Sequence, residues 1–287
     1  MTWILHKDTS FLISNIFDIE NQTMVETSRD TLYILDSDTP KPPVNTEFPR
    51  LYTHLLCPFA EMARMALAAK NVEFQKCEVH LGKKTPWHTA FNGGFVPILE
   101  LQDGSMINES KILVDYAEEA YPTRGYSLLP KDPLARARMR LAFPLLDAFN
   151  SAYFAIAMNL KNGGGTEEQY AKLREKLQAI ENFIEAHYKE GGSPFVLGSE
   201  DPTQIDIIFF PHLYRLYLLK DSAYHNELWA PSKIDSFPRI IAFLEGIRDR
   251  PEFKGQLVTQ RPFHGFIASS KTHTGESRLH LYLPYDE

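Results

Sequence analysis

Apolar and polar positions fall into two regimes along the chain, and the change comes just after residue 126. From Phe48 the apolar runs are short and broken by turn residues. "RLYTHLL" (50–56) reads as a buried strand, and "PFAEMARMALAAK" as a helix. In that helix Met62, Met65, Ala66 and Ala69 share one face, and Arg64 and Lys70 lie off it. "VEFQKCEVH" is a second strand, "LGKKTPWHTAFNGG" a polar loop, and "FVPILELQDGSMIN" a hairpin turning at Gln102-Asp103-Gly104. "ESKILVDYAEEAY" is a helix that Pro122 ends. The order β, α, β, loop, β, β, α implies a small mixed sheet, because a strand–helix–strand crossover pairs its strands in parallel. After "LLPKDPLARAR" strand signals stop. Residues 133–159, 166–189, 203–220 and 236–250 read as helices, separated by Gly-rich and Asp-Ser breaks.

These patterns divide the chain. Residues 48–126 form an α/β unit and 131–260 an all-helical one, while 261–287 read as a tail over the surface. Residues 1–47 read as an extension, with strand-like runs "WILH" and "TLYILD" and a Pro-rich linker "DTPKPPVN". In "TQID", Thr203 and Asp206 are spaced as a capping box for the helix that follows.

Bulk composition narrows the classes. Of 287 residues 44% are hydrophobic, enough for a packed core, and the formal net charge of −7 argues against a nucleic-acid partner. No apolar run nears the roughly 18 residues of a membrane span. The N-terminal stretch lacks a secretory core, since Lys7, Asp8 and Thr9 interrupt it. It has no arginine before Arg29 and carries Asp8, Asp18 and Glu20, unlike a mitochondrial presequence, so no targeting signal is expected. Two cysteines make no disulfide framework, so a reducing, cytoplasmic setting is expected.

One of those cysteines has an address that changes the picture. Cys57 lies where the first strand gives way to a helix, and Pro58 after it suits the first helical position. A helix N-terminus favours an anion, and thiols so placed can fall to roughly 3.5–7.5. Cys57 is therefore the candidate nucleophile. Ala60 stands where a C-x-x-C pair would hold its second thiol, so any resolving thiol must come from another molecule. Pro97 at the head of a strand removes a ladder donor, which a cis Val96–Pro97 peptide would accommodate. His54, Cys57, Cys77 and His80 together have the residue types of a zinc site. The helix start explains Cys57 better.

"CPFAEMAR" after a strand, "FVPILE", "INESKILVDYAEEAYP" and "TQID", in this order over about residues 48–255, resemble a cytosolic glutathione transferase of the omega class. The resemblance implies a thioredoxin-like domain followed by an all-helical domain, with glutathione as co-substrate, no metal, and a homodimer. It implies that the Val96 backbone, beside Pro97, meets the cysteinyl part of glutathione. Glu109 and Ser110 would hold the γ-glutamyl end, and Phe59 would lie at the site. Lys84 would approach the peptide, with Lys83 as the other choice, because "FNGGFVP" is one residue shorter than the omega pattern. It further implies thiol transfer and dehydroascorbate reduction through a mixed disulfide on Cys57. A non-catalytic binding or assembly subunit on the same fold is the alternative. Tyr52 sits too early in its strand to be a conjugating tyrosine. Tyr153, Phe154, Tyr214, Tyr217 and Trp229 are candidates for an acceptor pocket or for plain core.

Overall fold

A computed structural model describes residues 31–159 and 163–264. The strand-like "WILH" and most of the tail lie outside the described residues.

Five strands form one sheet in the order β1-β3-β2-β4-β5. They are β1 Leu32–Ile34, β2 Arg50–Thr53, β3 Gln75–Val79, β4 Ile98–Glu100 and β5 Met106–Asn108. The first three run parallel, β4 is antiparallel to β2, and β5 is antiparallel to β4. Helices α1 (Pro58–Ala69), α2 (Pro86–Asn92) and α3 (Ser110–Ala120) complete this half. The helical half holds α4 Pro133–Leu141, α5 Phe143–Ala157, α6 Glu167–Glu185, α7 Gln204–Leu218 and α8 Pro238–Arg248. Successive strand side chains point to opposite faces. Leu51 and Leu99 accordingly join α1, α3 and the helical half in one large core, whereas Tyr52, Cys77, Val79 and Ile98 form a second cluster on the other face, with Trp87 against it.

Three readings of the sequence need correction. "PWHTAFN" was expected as loop and is helix α2: Thr85 caps it, Pro86 opens it, and Gly93 at φ 73° closes it in the left-handed region that glycine favours. The helix expected over 133–159 is two helices, broken at Ala142 with Pro144 opening the second. Arg64 and Lys70, which lie off the apolar face as read, are nonetheless fully buried. Lys70 Nζ reaches Glu118 Oε2 and the Tyr126 carbonyl, each at 2.9 Å.

The third correction concerns residues 31–47, the described part of the stretch set apart in the sequence as an extension. Leu32–Ile34 is the sheet's edge strand, paired with Cys77–Val79. The chain that follows crosses to the far side of the sheet. Asp36 meets Lys83 at 2.9 Å, Thr39 accepts from Trp87 Nε1 at 3.2 Å, the Pro43 carbonyl accepts from Arg50 at 2.7 Å, and Lys41 pairs with the buried Glu100 at 2.5 Å. A chain starting at Phe48 should therefore be less stable by about 2–3 kcal/mol, a fall of about 5–10 °C in melting temperature. An unchanged melting temperature by scanning calorimetry would mean that this strap contributes nothing.

Candidate active site

Topology brings the expected site residues to one end of the sheet. Tyr52 pairs with Ile98, and Ile98 with Asn108. β4 is antiparallel to its neighbours, so its start, at Val96–Pro97, lies beside the ends of β2 and β5. Those ends lead to Cys57 and to Glu109–Ser110. The end of parallel β3 leads to Lys83 and Lys84. Sequence order alone would scatter these residues over some fifty positions.

Each expected residue has a definite place. Cys57 is the N-cap of α1 with extended backbone (φ −82°, ψ 116°), and Pro58 is in the first turn. The Val96–Pro97 peptide is cis. Val96 and Ala60 belong to the second apolar cluster, and half-buried Cys57 packs against it. Glu109 is the exposed N-cap of α3 at φ 72°, a left-handed conformation that costs a non-glycine residue about 1–3 kcal/mol and is typical of ligand clamps. Ser110 behind it is buried at the helix start, where backbone N–H groups suit an anion. Phe59 is 41% exposed and meets the His212 ring edge-on at 4.8 Å. The two lysines differ. Lys83 pairs with Asp36, while Lys84 donates to the Gly93 carbonyl at 2.9 Å and lies 4.4 Å over the Phe95 ring, directly before Val96.

The thiol's electrostatics depart from expectation. Backbone N–H groups of Ala60 and Phe59 and the Arg215 and Arg64 guanidinium groups all favour the thiolate. Burial outweighs them and pushes the Cys57 thiol up. Cys77, wholly buried in β3, is also pushed up by burial, against the pull of Arg50.

Beneath Cys57 lies a buried charged network with little signal in the sequence. Arg215 of α7 donates to the Leu56 carbonyl from Nε (3.1 Å) and Nη2 (3.0 Å), to Pro211 at 2.6 Å, and pairs with Glu61 at 2.7 Å. Arg64 donates to Thr53 Oγ1 at 2.7 Å and to the carbonyls of His54 and Leu55, both at 3.3 Å. Glu78 accepts from Leu55 N at 2.9 Å. Charged residues at inward positions of α1 and α7 were the only hint, and an amphipathic pattern reads them as solvent-facing.

The set-aside residues have other work. Tyr52 is buried and donates to Glu100 Oε2 at 3.1 Å. His54 Nδ1 accepts from Leu56 N, and His80 Nδ1 from Gly82 N and Lys83 N, so both rings cap local turns. Among the described residues no group of three or more His, Cys, Asp or Glu could hold a metal ion. Tyr214 is core, stacked between Phe210 and Tyr217. Tyr153 stacks on Phe149 and meets Phe154 edge-on, and Trp229 stacks on His225.

Comparisons with known proteins agree with this architecture. Residues 51–125 match the family model "Glutathione S-transferase, N-terminal domain", and residues 167–246 match "Glutathione S-transferase, C-terminal domain". Glutathione S-transferase omega-1 of Sus scrofa is 30% identical over 230 residues, 79% of this chain and 88% of that one. Glutathione S-transferase omega-2 of Homo sapiens is 28% identical over 231 residues, with the same coverage. Among solved structures, glutathione transferase Omega 1C from Trametes versicolor shares the fold with a TM-score of 0.63 at 20% identity, covering 79% of this chain and 98% of its own. Two domain matches over the two halves of one sheet-plus-helix architecture, and a relative at this identity along most of its length, place this chain in the glutathione S-transferase family as an omega-like glutathione transferase.

Proposed function

We propose that the protein is a glutathione-dependent thiol transferase and dehydroascorbate reductase of omega type, acting through Cys57. The observation that carries this is Cys57 at the N-cap of α1, with Val96–Pro97 leading into the neighbouring strand and Glu109–Ser110 following the strand beyond, all at one end of the sheet. The Cys57 thiolate attacks the glutathionyl sulfur of a mixed disulfide. The acceptor's S–S bond breaks, and the acceptor leaves as a thiolate that takes a proton from water. A second glutathione thiolate then attacks the glutathionyl sulfur on Cys57, releasing oxidised glutathione and the Cys57 thiolate. Dehydroascorbate enters differently: the Cys57 thiolate adds to one of its carbonyl carbons, one glutathione thiolate attacks the Cys57 sulfur and expels ascorbate, which takes up the protons, and a second glutathione resolves the Cys57–glutathione disulfide as before. In this reading the Val96 backbone holds the cysteinyl part of glutathione, Glu109 the γ-glutamyl ammonium, Ser110 and the α3 start its carboxylate, and Lys84 the glycyl carboxylate. Phe59 walls the acceptor side. The protein works in the cytoplasm as a homodimer, on small thiols and disulfides.

Mass spectrometry of the whole protein after oxidised glutathione tests the reading. One glutathionyl group on Cys57 is expected. No adduct, or an adduct on Cys77 alone, would overturn it. Glu109→Ala should weaken glutathione binding roughly ten- to a hundredfold, the loss of one charged hydrogen bond of about 1.5–3 kcal/mol. Unchanged affinity in calorimetry would remove Glu109 from the site. Burial of the Cys57 thiol favours a second reading, a binding or assembly subunit, which would bind glutathione without turnover.

A further inference from the structure

Three carbonyls precede Cys57, and guanidinium groups hold all three. Arg64 takes those of His54 and Leu55, and Arg215 takes that of Leu56 with two N–H groups. The amides are held as well: Leu55 N by Glu78, Leu56 N by His54 Nδ1, and Cys57 N by the His54 carbonyl at 2.9 Å. Cys57 therefore sits on a backbone turn with no slack. The grip on its nearest carbonyl comes from α7, 159 residues away in the helical half.

The charges have a direction. Around the turn stand Arg64 and Glu61 from α1, Glu78 from β3, Arg215 and His212 from α7, and His54 itself. Burial holds both histidines neutral, each pushed down to about 3, and pushes Glu78 towards its protonated form. Glu61 lies 2.7 Å from Arg215 Nη2 and 3.9 Å from Arg64 Nη2, and its other oxygen accepts from Val258 N at 3.2 Å. Two buried guanidinium groups thus share the Glu61 carboxyl group. Both also act on the Cys57 sulfur and favour its thiolate, against the burial that raises it.

We propose that Arg215 is a positioning residue for the Cys57 chemistry: from the helical half it fixes the Leu56 carbonyl and supplies positive charge to the neighbouring sulfur, so that the nucleophile of one half is assembled by the other. The proposal rests on the reading of Cys57 as nucleophile. Arg215 acts through the turn and through its charge.

The test is the pH profile of Cys57 alkylation by iodoacetamide, resolved by peptide mass spectrometry on the full chain. Arg215→Gln should move the half-maximal pH up by about one unit, roughly tenfold slower labelling below it. Arg215→Lys keeps the charge and loses the fork. Its profile should stay near wild type, while its rate of glutathionyl capture at neutral pH falls about tenfold. A folded Arg215→Gln chain with the wild-type profile would overturn the charge role. Wild-type capture by Arg215→Lys would overturn the grip on Leu56. Loss of fold in both variants would assign Arg215 to stability alone and overturn the proposal. If wild type itself gains no glutathionyl group, the functional reading fails, and the alkylation profile still reports on Arg215.

Discussion

Cys57→Ser should abolish thiol transfer, a loss of about 10³-fold or more, while glutathione binding survives. A serine forms no mixed disulfide, and nothing around it makes an alkoxide accessible. The binding contacts expected of Val96, Glu109 and Ser110 do not involve the sulfur. Cys57→Ala should lose transfer equally and gain weak conjugation of glutathione to electrophiles, because the enzyme's own sulfur no longer captures the bound thiol. Limited alkylation separates the two cysteines. Cys57 is half-buried at a helix start, and Cys77 is sealed in β3 at 0% exposure, so Cys57 should be labelled well ahead. Burial raises both thiols, so the difference arises from access and from the N–H and guanidinium groups around Cys57 rather than from a thiol already ionised in the free protein. Full transfer activity in Cys57→Ser, with equal labelling of both cysteines, would remove Cys57 from the mechanism.

Asp206→Ala should cost about 3–5 kcal/mol of stability, well above an ordinary cap. Asp206 is fully buried at the head of α7. Its Oδ2 accepts from Thr203 N at 2.7 Å and Thr203 Oγ1 at 2.8 Å, and its Oδ1 from Val196 N at 2.7 Å. The capping box read from spacing is present, Thr203 facing the Asp206 backbone and Asp206 the Thr203 backbone, and the Thr203 hydroxyl also donates to the carboxylate while Asp206 N bonds the Thr203 carbonyl at 3.0 Å. Removing the carboxylate strands three buried donors. Thr203→Ala removes one donor and one partner, so it should cost only about 0.5–2 kcal/mol. Burial pushes the Asp206 carboxyl up to about 6, against the pull of Val196 and Thr203. Between about pH 4 and 6 the folded chain then holds a proton that the unfolded chain has released. The Asp206 contribution is full below about pH 4 and falls as pH rises through 6. The melting gap between wild type and Asp206→Asn should accordingly widen on acidification. An Asp206→Ala chain that melts like wild type but loses turnover would show that the residue serves the chemistry.

The family resemblance was legible from four short stretches, and the domain matches fall on the same parts of the chain. The proposed site residues were picked out for a related reason. Cys57, Val96–Pro97 and Glu109–Ser110 each sit at the junction of a strand with its neighbouring element, and such junctions carry local signals: a proline at a helix start, a proline at a strand head, a polar pair before an apolar helix. Helix α2 was not legible, because Thr85 and Pro86 open it but its seven residues are too short and polar to show a period.

What the sequence determined by itself is the order of the strands from Phe48, most of the helices and the helix start at Cys57, because apolar period, proline and the Asp103-Gly104 turn act within a few residues of one another. Tertiary structure alone decided the rest. It seated Leu32–Ile34 on the edge of β3, across more than forty intervening residues. It buried Arg64, Lys70 and Arg215, since their partners lie far off in the chain: Gln256 for Arg64, Glu118 for Lys70, Leu56 for Arg215. It also set the Cys57 thiol, where the helix start and two guanidinium groups pull one way and loss of water pulls further the other. Desolvation depends on every element that covers the sulfur, and no local pattern of residues encodes that sum.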